Sequence, residues 1–226
     1  DLVKKKWLSL YREKQPLLKK TFKDQTEVLI NCRVAAKILG ATEMDRPEDI
    51  EIHPVTGHVY VIQTNNKPKK NHHGNILKLV EDGNRHDAQS FEWQLAYIGG
   101  EETGMSCPDN IAFDKKANLW ITSDISGSDI EKGAYKGYGH NSLYYSPLTG
   151  NGAGKVFRFG TAPIDAEFTG LCFDQEFKTL FLAVQHPGEN STDINKPTSN
   201  WPYGNGKMPV PGVLQIQGPL LDRLMS

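Results

Sequence analysis

The sequence predicts an all-β chain preceded by a helical segment, and three observations carry that expectation. From Pro47 onward, short runs alternate apolar and polar residues and are broken by Gly, Pro, Asn and Asp. Three segments are self-similar: "EDIEIHPVTGHVYVIQTNN" from Glu48, "DNIAFDKKANLWITSDIS" from Asp109 and "TGLCFDQEFKTLFLAVQHPG" from Thr169, with Ile50, Ile111 and Leu171 standing 61 and 60 residues apart. Each hairpin is followed by further strand candidates, "NILKLVE" and "FEWQLAYIG" in the first unit, "NSLYYSPL" and "KVFRFG" in the second, "GVLQIQG" in the third. Four strands per unit at a period above about 40 residues is the arithmetic of a β-propeller blade. A three-repeat sandwich fits less well, because the hairpin recurs while its connecting loops vary.

On this reading residues 41–226 form a partial propeller with repeats starting near 47, 108 and 168, and residues 1–40 form a helical inter-blade or capping element. Three blades do not close a ring, which takes about four to eight, so missing blades or a second chain are expected to complete it. Within the leading segment, Val28, Leu29, Cys32, Ala35, Ala36 and Leu39 recur at helical spacing, which predicts one helix over 22–40 capped by Thr21 or Asp24 and closed at Gly40. The preceding "WLSLYREKQPLL" reads as helical up to Gln15, with Pro16 as a stop.

Composition narrows the function. A chain of 226 residues, 38 % hydrophobic, makes one sizeable domain, and a formal net charge of −1 gives no field that favours nucleic acid. The lysines at 4–6 and 19–20 read as a solvated helix face. No apolar run is long enough to cross a bilayer, so no membrane partner is expected. The odd set Cys32, Cys107 and Cys172 shows neither metal-type pairing nor a disulfide framework, and Cys107 and Cys172 read as core residues. Starting at Asp1 without a signal-peptide pattern, the chain reads as processed or as a piece of something longer.

The repeat also gives the charges coordinates. Arg46 corresponds to Cys107 and Glu167, and Glu48 to Asp109 and Thr169. All precede or open the first strand of a unit, which in a propeller is innermost, so they converge on one mouth of the channel. The second strands run back to that mouth and end in Asn65 and Asn66, Asp124 and His186. Several carboxylates in one place do not all stay ionised without a cation, and carboxylate and amide oxygens suit a hard ion such as calcium. Arg46 beside them suits phosphate or carboxylate, which its planar fork binds through two oxygens. The plainer readings stay open: a local Arg46–Glu48 ion pair, turn-forming roles for Asp109, Asp124, Asn65 and Asn66, and a loop histidine at 186.

The run "FKDQTEVLINCRVAAKILGATEMDRPEDIEIHPVTGHVYVIQTNN" resembles the PhoX-type alkaline phosphatases, as do "NHHGNILKLVEDG", "FEWQLAYIGG", "PDNIAFDKKANLWITSD", "EFTGLCFDQEFKTLFLAVQHPGE" and "SNWPYG", in order from about residue 22 to 216. The resemblance implies a six-bladed propeller that hydrolyses phosphate monoesters of small molecules at a centre of calcium and iron, in the periplasm or outside the cell. It implies phosphate binding by Arg46 and metal ligation by Glu48, Asp109 and Glu167, and leaves Asn65, Asn66, Asp124 and His186 as further site residues without an assigned part. Family ligands of the N-terminal half, a cysteine on iron and a glutamate of a "TWLTCEE"-like stretch among them, have no counterpart here. The chain therefore reads as about half the propeller and half the metal site, which puts activity of this chain alone in question. Two other readings are a calcium-dependent lactonase-like propeller, against which Arg46 counts, and a non-catalytic fragment that binds a ligand or partner through open blade edges.

Overall fold

The computed structural model describes all 226 residues, and no helix in it is long and apolar enough to cross a membrane. The chain is mostly β. Three antiparallel sheets follow one another: β1 (Pro47–Ile52), β2 (Val59–Gln63), β3 (Asn75–Glu81) and β4 (Phe91–Ile98) in the first; β5 (Pro108–Phe113), β6 (Leu119–Ser123), β7 (Ser142–Ser146) and β8 (Phe157–Thr161) in the second; β9 (Glu167–Phe173), β10 (Leu180–Gln185) and β11 (Gly212–Ile216) in the third. Strand order is sequential within every sheet, as hairpin connections dictate. The third unit has three strands rather than four; the chain after β11 turns into helix α4 (Pro219–Met225), whose Leu221 and Met225 pack into the core between the second and third sheets.

The leading segment is three short helices rather than one. These are α1 (Pro16–Thr21), α2 (Gln25–Ile30) and α3 (Cys32–Ile38). Asp24 caps α2 by accepting from the Glu27 amide at 2.9 Å, while Glu27 accepts from the Lys23 amide. The expected continuous helix breaks at Asn31, whose ψ of 36° leaves the helical region. Pro16 starts a helix instead of stopping one, since at the first helical position its missing N–H costs nothing. The first residues strap the first sheet: Trp7 packs on Phe91 at 4.8 Å and donates to Glu81 at 3.0 Å, and Trp93 donates to the Leu2 carbonyl at 2.9 Å.

Sheets pack face to face through the apolar side of each alternation. Tyr60, Ile62, Ile76 and Tyr97 of the first meet Ile111, Leu119, Ile121 and Tyr144 of the second. Trp120 and Leu143 of the second meet Phe168, Leu180, Leu182 and Val184 of the third. Trp120 is fully buried, its indole N–H donating to Asp114 at 3.1 Å. Trp120→Ala should therefore cost about 3–5 kcal/mol, read as a lower urea midpoint at unchanged slope. Of the two cysteines placed in the core from sequence, Cys107 is buried but Cys172 is exposed, on β9 at a cleft that Ile52, Ala112 and Phe113 also line.

Two local devices repeat. At the β1–β2, β5–β6 and β9–β10 hairpins one side chain accepts two backbone N–H groups of the turn: Asp114 from Lys116 and Asn118, Asp174 from Lys178 and Thr179, and in the first sheet His53, through Nδ1, from Val55 and Thr56. At the other end, every first strand carries a bulge, where pairing slips between Pro47 and Ile50, between Pro108 and Ile111, and opposite Phe181 and Ala183 on β9. The bulges tie neighbouring sheets together. Asp49 accepts from the Ile111 amide at 2.9 Å, and Asn110 from the Gly170 amide at 2.9 Å and the Thr169 hydroxyl at 2.7 Å.

Candidate metal and phosphate site

The bulged ends of β1, β5 and β9 meet, and they bring acidic side chains together. A bulge re-aims the side chains that a regular pleat would send to alternate faces, which is how Asp109 comes to point at Glu167 from an adjacent sheet. Asp124, just after β6, joins them. Oxygens of Asp109, Asp124 and Glu167 lie within 4.8 Å of one another, with Asp109 and Glu167 buried. Burial first, then the charges of Glu167, Asp124 and Glu48, push the Asp109 carboxyl up to about 7. Burial and Asp124 also raise Glu167, against the opposing effect of His186. Such crowding is unfavourable until something positive shares it.

Arg46 supplies positive charge at the rim. It sits at φ 53°, an uncommon conformation for a residue with a side chain, and Cys107 at the equivalent repeat position has φ 52°. The Arg46 guanidinium donates to Asp124 at 2.9 Å, Glu48 at 3.3 Å and Asn65 at 3.5 Å. Burial works against its charge, but Asp124 and Glu48 more than offset this and hold its pKa above the usual value. Asn65 is oriented from its other end by donating to the Cys107 sulfur at 3.4 Å. Burial keeps that thiol protonated, above its ordinary range.

Not every residue singled out in the sequence joins the cluster. Glu48 is exposed and faces Arg46, outside the close trio. Asn66 turns away, bonding Asp45 at 2.7 Å and capping the turn at Lys69. His186 borders the trio, with Nε2 3.3 Å from Glu167 and Nδ1 3.6 Å from Glu189. Sequence reasoning missed Asp49 and Asn110, which fix the spacing of the sheets that hold the acids. Their shared offset in the repeat, beside Glu48 and Asp109, was the available signal.

The family model for alkaline phosphatase PhoX matches residues 2–188 of the chain. The chain belongs to the PhoX alkaline phosphatase family. The structure of Pseudomonas fluorescens PhoX in complex with vanadate, a transition state analogue, superposes with a TM-score of 0.81 at 32 % sequence identity. The match covers 93 % of this chain and 40 % of that one, so the chain spans well under half the length of the PhoX structure it resembles. No sequence among curated proteins matches it.

The oxygen donors of this PhoX-family site suit a hard cation. The carboxylates of Asp109, Asp124 and Glu167 converge, Arg46 pairs with Asp124 alone of the three, and the one nearby sulfur is a hydrogen-bonded thiol rather than a thiolate.

Proposed function

We propose that this chain supplies one part of the active site of a metal-dependent phosphomonoesterase, in a six-bladed propeller of which its three sheets are three blades. The observation that carries the reading is the pairing of the Arg46 fork with a three-carboxylate cluster, in a chain of the PhoX family. Asp109, Asp124 and Glu167 are the residues to hold the cation, calcium by their oxygen chemistry; iron rests on the family alone. Glu48, placed on metal from the family pattern, acts through Arg46 unless a bound ion draws it in.

A cation held by Asp109, Asp124 and Glu167 would supply positive charge to a bound phosphoryl group. This chain's own residues do the rest. Arg46 presents two parallel donors to the phosphate, and Asp124, Glu48 and Asn65 hold its plane before substrate arrives, so little reorganisation is left for the reaction. His186 meets Glu167 through Nε2 at 3.3 Å and so helps keep one cluster carboxylate in place. Substrates are small phosphorylated molecules, and residence is periplasmic or extracellular by family habit. The presence of Arg46 weighs against a lactonase, whose single cation needs no such partner.

The test is metal analysis of the longer protein with a phosphomonoester assay. Calcium or another cation should copurify, chelation should abolish turnover, and vanadate should inhibit competitively. A metal-free preparation with full activity would overturn the reading.

A further inference from the structure

At the end of the sheets opposite Arg46, the first hairpin departs from its repeat in a way that leaves donors without an acceptor. In the second sheet the Asp114 carboxylate closes the turn through one oxygen and through the other accepts from the Asn118 amide at 3.2 Å and the Trp120 indole at 3.1 Å. The counterparts in the first sheet are His53, His58 and Tyr60. His53 spends Nδ1 as the acceptor for two turn amides, so the ring proton resides on Nε2. His53 is only 9 % exposed, held edge-on to Phe113 at 4.9 Å, and no protein group accepts from its Nε2 or from the Tyr60 hydroxyl. Where one sheet has a carboxylate receiving two side-chain donors, its neighbour has donors alone.

These groups open on a cleft of about 360 Å³ between the first and second sheets, which Lys78 from β3 and Lys116 from the β5–β6 turn also line. No carboxylate lines it. Glu51 and Asp114 line the adjoining cleft instead, and Asp114 is fully occupied by its own turn and Trp120. We propose that this cleft binds a phosphate group, as free orthophosphate or as the phosphate end of an organic ester, with its oxygens accepting from His53 Nε2, the Tyr60 hydroxyl, Lys78 and Lys116. A tetrahedral oxyanion presents acceptors in several directions at once, which suits donors arriving from two strands and two turns. Val55, Ala117 and Leu148 form an apolar side against which an organic remainder can lie. Both walls belong to this chain, so the site is independent of the channel mouth and stands whether or not that mouth hydrolyses esters.

Burial, then Lys78, holds His53 and His58 below the ordinary histidine pKa. The groups facing them are Lys78 from β3, Tyr60 from β2, and Phe113 and Lys116 from the neighbouring hairpin; none is acidic. A bound anion favours the protonated His58 ring, while His53, whose Nδ1 accepts two turn amides, donates to the anion as the neutral ring; binding therefore takes up a proton at His58 and tightens as pH falls from 8 to 6.

The experiment follows the ring resonances of His53 and His58 by NMR during titration of the chain with orthophosphate at pH 6 and pH 8, with phenylphosphonate as the non-hydrolysable ester mimic and sodium chloride at matched ionic strength. Saturable shifts with orthophosphate, stronger at pH 6, are expected, with affinity falling at least tenfold in Lys78→Ala/Lys116→Ala. Lys78→Gln/Lys116→Gln, which keeps the aliphatic stems, serves if the alanine pair folds poorly. Tighter binding of phenylphosphonate marks an organic ester as the ligand; orthophosphate alone marks the free ion. Histidine signals that ignore phosphate, respond equally to chloride, or titrate unchanged in the folded double variant would overturn the proposal.

Discussion

If the proposed function holds, Arg46→Ala in a protein with the propeller completed is expected to lower phosphomonoesterase turnover by about 10²–10³-fold, the range for losing one preorganised donor to a developing oxyanion. The loss should fall on kcat more than on KM if the fork tightens on the transition state, and vanadate inhibition should weaken in parallel. Arg46→Lys should recover little, because an ammonium offers a point charge where Asp124 and Glu48 orient a plane. The side chain is 47 % exposed and outside every apolar cluster, so the melting midpoint in the presence of cation should move little. Turnover near that of the parent would remove Arg46 from the reaction.

Asp109→Asn should act in opposite directions with and without cation. The Asp109 carboxyl has a pKa of about 7 in the folded chain against 3.8 as a free side chain. A raised acid favours folding in its protonated form: this stability is whole below 3.8, lost progressively as pH rises, and gone above about 7. The asparagine carries no such penalty. In chelator at pH 8 the variant should therefore be the more stable chain, by an amount on the order of 4 kcal/mol at about 1.4 kcal/mol per unit, and the difference should vanish below pH 4. Added calcium should reverse the order, stabilising the parent and not the variant, since binding to the folded state alone raises stability by mass action. A variant that is less stable at pH 8 without metal would show that the carboxylates do not repel. Thermal melts at four pH values, with and without calcium, decide it.

What the sequence disclosed and what it hid follow from the range of the forces involved. Hairpins were visible because alternation and turn residues act over a few positions, and Val59 to Gln63 or Leu119 to Ser123 need nothing distant to be read. The break at Asn31 was not, since a residue with ordinary helix propensity left the helix for tertiary packing of Val28 and Ala35. Asp124 lay in "SDISG", indistinguishable from a polar turn until Arg46, 78 residues away, was seen bound to it. Asn66 and Asn65 look alike in sequence, yet one caps a turn and the other orients Arg46. The bulges left no local mark, because register is a property of two strands. His53 hid for the opposite reason: it performs the turn-closing task of an aspartate, and only its spare nitrogen betrays the exchange.

Asn110 follows Asp109 in the chain and grips Thr169 and Gly170, just past Glu167. One amide side chain thus works as a spacer bar between two buried acids of different sheets. Its reach, a chemical constant rather than an adjustable packing distance, gauges the opening between Asp109 and Glu167. Lengthening it by a methylene as glutamine, or swapping its acceptor end for a donor, would change that opening, and with it the ionic radius the proposed cation site takes, while leaving both acids in the chain.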